Sequence, residues 1–175
     1  AAVYISGVSK NTDYRNTVPD CLADDDIPTA FVKNLSRLEV ASQKGLSERF
    51  DSSIGASSVL MPFGGKYQMT PEEAMIAKIP VLKGDTDDVT VMSYGYTPKV
   101  TEESPFHGSA FAVMESLSKI AAVGANPMNV RLTFQEYFER LNYVPARWGK
   151  PAAALLGAFA AQIGMGVAAI GGKDS

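Results

Sequence analysis

The apolar positions of the chain fall into blocks whose spacing changes along its length. Residues 1–27 show no sustained period. They are polar, carry the acidic run Asp24, Asp25 and Asp26, and read as a linker or extended segment with a short strand at Val3–Ile5. From Pro28 the positions Phe31, Leu35, Leu38, Ala41 and Leu46 keep a roughly helical spacing, which predicts a helix near 29–44 with Gly45 as its interruption or C-cap. SSVLMPF at 57–63 has the composition of a strand, and Gly64–Gly65 behind it marks a hairpin-like reversal. Thr70, Pro71 and Glu73 then combine an N-cap, a proline at the first helical position and a capping-box acid, predicting a short helix that ends before Pro80.

The second half is more regular. Val89–Tyr96 is β-branched and aromatic, as a strand should be, and Asp85, Asp87 and Asp88 stand at its entrance. Over 105–123 the residues Phe106, Ala110, Val113, Met114, Leu117, Ile120 and Ala121 fall on one helical face, with Ser104 to cap, Pro105 to open and Gly124 to terminate. Val130–Phe134 reads as a strand, followed by a loop to Pro145, a second apolar helix to about Gly164, and a last strand Val167–Ile170 running into GGKDS. Strand, helix, strand, helix, strand is the order of an α/β (α+β) layer, a mixed sheet covered by helices. No internal repeat or low-complexity tract interrupts it. Residues 28–175 are therefore expected to form one domain, behind a linker at 1–27.

Composition narrows the class of function. With 175 residues, 46% hydrophobic and 20% charged, the chain is long enough and apolar enough to bury a core. A net charge of −3 without any Lys/Arg cluster gives no pull towards phosphate backbones or anionic lipid, so no nucleic-acid and no membrane partner is expected. The apolar stretch Pro151–Ile170 contains Gln162 and many Ala and Gly, so it reads as a buried helix and strand rather than a bilayer span. Cys21 is the sole cysteine, which excludes an intrachain disulfide and a Cys-rich metal site. With no secretory signal pattern at the N-terminus, a cytoplasmic protein is the expectation.

Three groups of residues invite a chemical reading. GGKDS places Gly171 and Gly172 directly after a strand, where bare backbone N–H groups can approach a phosphate, with Lys173 as a point charge and Asp174 as a cation holder. It is not a Walker loop, and an ordinary polar turn explains it as well. Asp85, Asp87 and Asp88 offer the oxygen ligands that Mg²⁺ takes together with phosphates, or else form a solvated acidic turn. Strand alternation would point Asp85 and Asp87 together and Asp88 away. Glu115 is either a metal ligand or the partner of Lys119, four residues on. His107, the only histidine, has no nucleophile motif around it and is read as structural, and Trp148 as an anchor of the core.

Longer blocks carry a resemblance. VASQKGLSERFDSSIG at 40–55, VLMPFGG at 59–65, VTVMSYGYTP at 89–98, SPFHGSAFAVMESLSKIAAVGANP at 104–127 and AAIGGKDS at 168–175 together resemble phosphoribosylformylglycinamidine synthase, in that family's order and spacing. The likeness runs from about residue 38 to the end. In the long form of the enzyme it is similar to the N-terminal-type domain of the second of two homologous halves. The resemblance implies an aminoimidazole-ribonucleotide-synthetase-like domain whose sheet pairs with a like domain, either the homologous half of the same full-length chain or a second copy. It implies a part in the ATP- and glutamine-dependent amidation of formylglycinamide ribonucleotide, with scaffold and a share of an auxiliary ADP/Mg site here and catalysis elsewhere, so that the chain alone is inactive. Carried over by position, Lys44 would contact the nucleotide, beside the contact that Gly171, Gly172, Lys173 and Asp174 suggest by their own chemistry, while Asp87 (with Asp85 as the alternative) and Glu115 would be magnesium ligands. One turn after Glu115 the family's pattern has an asparagine; this chain has Lys119, whose ammonium cannot coordinate a cation. A purely structural interaction module with a vestigial nucleotide site is the alternative.

Overall fold

A computed structural model describes residues 26–49 and 57–175. The expected strand at Val3–Ile5, most of the linker and Cys21 lie outside the described residues. The chain divides into two compact units at Thr90/Val91, and each is described by itself.

In the first unit α1 spans Ile27–Leu35. Asp26 caps it, its carboxylate accepting from the backbone N–H of Thr29 at 3.0 Å and from the Thr29 hydroxyl at 3.0 Å. The helix stops at Leu35 instead of running on to 44. The Ser36 hydroxyl turns back onto the Val32 carbonyl at 2.8 Å, and Arg37 reaches Asn34 and Glu39 to close the turn. The Gln43 amide then donates to the Leu38 and Ala41 carbonyls and holds the non-helical stretch ahead of the single turn α2, Lys44–Ser47. Gly45 therefore lies inside a helix and is not a cap.

The strand expected over 57–63 is split by Pro62 into β1, Ser58–Leu60, and β2, Phe63–Gly64. β2 pairs antiparallel with β3, Thr70–Pro71, through a turn in which Gly65 and Gln68 both take positive φ. The reversal after Gly64 is as expected, but the helix from Thr70 is not there. Ala74–Lys78 is a strand, β4, antiparallel to β1 with Ser58 opposite Ala77 and Leu60 opposite Ile76. It takes the central place in a sheet ordered β1, β4, β5, where β5 is Val89–Ser93. In that central place the strand is paired on both edges, and this pairing overrides the local helix-start signal of Thr70, Pro71 and Glu73.

The second unit holds the core. α3, Pro98–Glu103, is a helix that the apolar pattern does not show. α4, Pro105–Ala122, follows the expected bounds within a residue, with Ser104 as N-cap. Its buried positions include Val113, Leu117 and Ile120, whereas Met114 and Ala121, assigned to the same face by spacing, are exposed. After a 3₁₀ turn at Pro127–Asn129, β6 spans Leu132–Glu136, two residues later than expected, because Val130 packs against the core instead of opening the strand. α5, Pro145–Met165, ends at Gly166 in the left-handed conformation. β7, Ala169–Asp174, then pairs parallel with β6, from Leu132 opposite Ala169 to Glu136 opposite Asp174, so that β6, α5 and β7 form a βαβ unit. Val113 and Leu117 from α4 meet Leu132, Ala158 and Val167 in one buried cluster. α5 lies close on α4 because Gly157 has no Cβ to strike the Phe106 carbonyl, and the Ser109 hydroxyl, 2.6 Å from the Ala154 carbonyl, stitches the contact.

The described strands thus form three small sheets, and with the helices they give a mixed α/β (α+β) class. Among the described residues no helix is long and apolar enough to cross a membrane.

Candidate functional site

The best-defined polar constellation surrounds Glu115 in the second unit. β5 ends at Ser93, three residues before the expected Tyr96, because the chain there is laid onto α4. The Ser93 hydroxyl bonds the Ser116 carbonyl at 2.8 Å, and Gly95 approaches the Ala112 carbonyl so closely that a Cβ would overlap it. The backbone N–H of Tyr96 consequently donates to Glu115 Oε2 at 3.0 Å rather than to a strand partner. The other oxygen, Oε1, lies 2.8 Å from Lys119 Nζ, the i,i+4 pair that the spacing offered. That ammonium also sits 4.5 Å from the centre of the Tyr94 ring, a cation–π contact, and the lysine side chain is only 13% exposed. Tyr94 and Tyr96 were not singled out as site residues in the sequence, because contacts 19 and more residues apart leave no local pattern.

Both oxygens of Glu115 are therefore committed, and the adjacent position holds a positive charge. A divalent ion on Glu115 would lie within about 4 Å of that ammonium and be repelled by about 8 kcal/mol at an effective dielectric of about 20. The residues present do not fit magnesium in this arrangement. Among the described residues there is also no group of three or more His, Cys, Asp or Glu side chains that could hold a metal ion.

Lys44, Asp85 and Asp87 belong to the first unit. Lys44, at the start of α2, has its Nζ 3.2 Å from Met69 Sδ and 3.7 Å from the Glu48 carboxylate. Residues 85–88 form a loop before β5 and not the start of the strand. Asp85 and Asp87 nonetheless face one partner: Lys78 Nζ is 2.9 Å from Asp85 and 3.9 Å from Asp87. The backbone N–H of Asp88 donates to the Thr86 hydroxyl oxygen at 3.1 Å. The hydrogen bond from Lys78 is the main cause that lowers the Asp85 carboxyl below its usual range, and it raises Lys78 in return. Lys78 escaped notice because the sequence placed it in a helix.

GGKDS is not a turn. Gly171 to Asp174 lie within β7, and Gly172 is needed because a Cβ would come within 2.6 Å of the Phe134 carbonyl on β6. A shallow open depression lined by Thr133, Gln135, Gly171, Gly172 and Lys173 runs along these two strands, and Lys173 Nζ reaches Ser175 Oγ at 2.5 Å. Asp174 stands opposite Glu136. Burial, and then the negative charge of Asp174, push the Glu136 carboxyl above the ordinary glutamate range. His107 keeps its structural reading, with Nδ1 2.8 Å from the hydroxyl of the fully buried Ser104. Trp148 does not anchor the core: it is 57% exposed, and its indole N–H holds the Asn142 carbonyl of the loop before α5.

No protein-family model matches the chain. Curated relatives do. The phosphoribosylformylglycinamidine synthase subunit PurL of Leptospira biflexa serovar Patoc is 30% identical over 115 residues, which are 66% of this chain and 14% of that protein. The subunits of the same name from Methanosarcina barkeri and Methanosarcina acetivorans are 26% and 24% identical over 106 residues, 61% of this chain and 13% of theirs. The chain spans about one seventh of the length of these relatives. Over 66% of its length it is thus a domain related to PurL.

Proposed function

We propose that the chain is one domain of a phosphoribosylformylglycinamidine synthase, in which it supplies scaffold and part of an auxiliary ADP site. The similarity to PurL along 115 residues carries this reading. The whole enzyme would amidate formylglycinamide ribonucleotide with ATP and glutamine-derived ammonia, the amide oxygen being activated by phosphoryl transfer and the developing charge stabilised electrostatically. The domain has the aminoimidazole-ribonucleotide-synthetase-like fold, of the type that closes a shared sheet with a homologous half. In the first unit Lys44, and in the second the segment Gly171–Asp174, are the candidates for nucleotide contact, each taken by itself. None of its residues is assigned to catalysis, and alone it is inactive.

The test is made on the full-length protein that carries this chain. Purified from cells and denatured, it releases ADP that chromatography can quantify, and it forms the amidine from formylglycinamide ribonucleotide, ATP and glutamine. Absence of amidine would end the enzyme assignment. Retained ADP unchanged by Lys44→Ala would remove Lys44 from the nucleotide site.

A second reading is supported by the Glu115–Lys119 pair: a structural interaction module whose nucleotide site is vestigial. It predicts amidine formation with no ADP released on denaturation.

A further inference from the structure

We propose that Lys119 is a built-in cation that takes the place of a divalent metal at Glu115, so that this position neither binds nor needs magnesium. Two contacts hold the ammonium beside the carboxylate, and the others fix their surroundings. Glu115 Oε1 lies 2.8 Å from Lys119 Nζ. Glu115 Oε2 is held by the Tyr96 N–H at 3.0 Å, which fixes the carboxylate plane. The Tyr94 ring closes over Nζ at 4.5 Å. The Ser93–Ser116 hydrogen bonds and the close passage of Gly95 over Ala112 pin the strand exit that carries both tyrosines onto the helix.

The partners differ in burial as this role requires. Lys119 is 13% exposed and Glu115 34%, so the cation is the enclosed member and the acid its lid towards solvent. A bound metal would demand short, near-octahedral oxygen contacts, mostly from water and phosphate, around a carboxylate free to turn towards it. Here the carboxylate is turned instead into a hydrogen-bonded pair with a fixed ammonium, which supplies one positive charge without an exchangeable ion. The device ties residues 94–96 to α4 at constant strength whatever the metal content of the surroundings. It does not rest on nucleotide binding, and it stands or falls separately from the enzyme assignment.

The probe is Mn²⁺, titrated into the full chain and followed by the electron paramagnetic resonance of the free ion, with thermal unfolding in Mg²⁺ and in EDTA alongside. In the wild type, Mn²⁺ affinity is expected to be the same as in Glu115→Gln, and the unfolding midpoint the same in Mg²⁺ and EDTA. Lys119→Asn frees the carboxylate and gains a Mn²⁺ site on the order of tenfold tighter than anything in the wild type. The double variant Lys119→Asn/Glu115→Gln loses that gain. A wild-type Mn²⁺ site that weakens tenfold in Glu115→Gln would overturn the proposal, as would a midpoint that falls in EDTA and recovers with Mg²⁺. Should Lys119→Asn fail to fold, the comparison of wild type with Glu115→Gln still decides, since that change keeps an acceptor for the Tyr96 N–H.

Discussion

β4 and β6 are both five-residue strands, and they are held in place by different means. β4 lies between two neighbouring strands and has no buried residue; its order comes from the ladder. Among the described strands β6 has one partner, but Leu132 is buried against Val113, Leu117, Ala158 and Val167. The contrast extends to the regions around them. Among the described residues from 26 to 90 none is buried, and α1 leaves Ile27, Phe31, Val32 and Leu35 more than half exposed. From 91 to 175 the helices α4 and α5 enclose a cluster with small residues at their crossing. In the first region the described contacts are strand ladders, hydrogen bonds and turns with side chains at most half-buried, whereas fully buried side chains stabilise the second.

Substitutions sharpen this difference. The largest effect is expected at Gly157, where a side chain would strike the Phe106 carbonyl and the Ser109 hydroxyl. Gly157→Val should cost more than about 3 kcal/mol, the upper end for overpacked positions, and be seen as a large fall in the urea midpoint. Leu117→Ala, at a residue 2% exposed, should cost about 3 kcal/mol. Leu38→Ala, at a residue 86% exposed, should stay within about 0.5 kcal/mol. Equal losses for the two leucines would break the comparison. Ser104→Ala removes a buried cap and the partner of His107 Nδ1, and should cost about 1–2 kcal/mol. Its signature is early loss of amide protection in the first turn of α4.

What the sequence made legible follows the same division. α4 could be read almost residue by residue because cap, opening proline, period and terminal glycine all agree with its tertiary role. α5 was nearly as clear. Between 57 and 80 the local signals conflicted with the pairing that won: Thr70, Pro71 and Glu73 have the form of a helix start, yet the following residues are the middle strand of a sheet. GGKDS shows the same conflict, since two glycines that suggest a turn instead permit close strand approach at Gly172. In the candidate site the Glu115–Lys119 pair was readable from its spacing of four. Its other walls were not, because Tyr94 and the Tyr96 N–H arrive from a strand exit whose path depends on packing of Gly95 against α4.

The smallest expected effects are in acid and base, and they have opposite signs in the two regions. Glu136 sits partly buried beside Asp174, so its folded-state carboxyl holds a proton more tightly than in the unfolded chain. Its contribution to stability is therefore present below the unfolded glutamate range and lost as the pH rises through the folded value. Asp26 is the reverse case: the Thr29 N–H, and then the Thr29 hydroxyl, lower its carboxyl, so its contribution is present above the unfolded aspartate range and lost as the pH falls through the folded value. Glu136→Gln should remove the loss that the wild type shows as the pH rises from the unfolded glutamate range through the folded value, and leave the chain slightly more stable at neutral pH than the wild type. Asp26→Asn should flatten only the acid side. Thermal midpoints of both variants against pH test the pair together. A Glu136→Gln profile that declines between the unfolded glutamate range and neutrality just as the wild type does would mean that the end of β6 is open to water. The second region would then lose its claim to be the one where burial sets the energetics as far as its sheet edge.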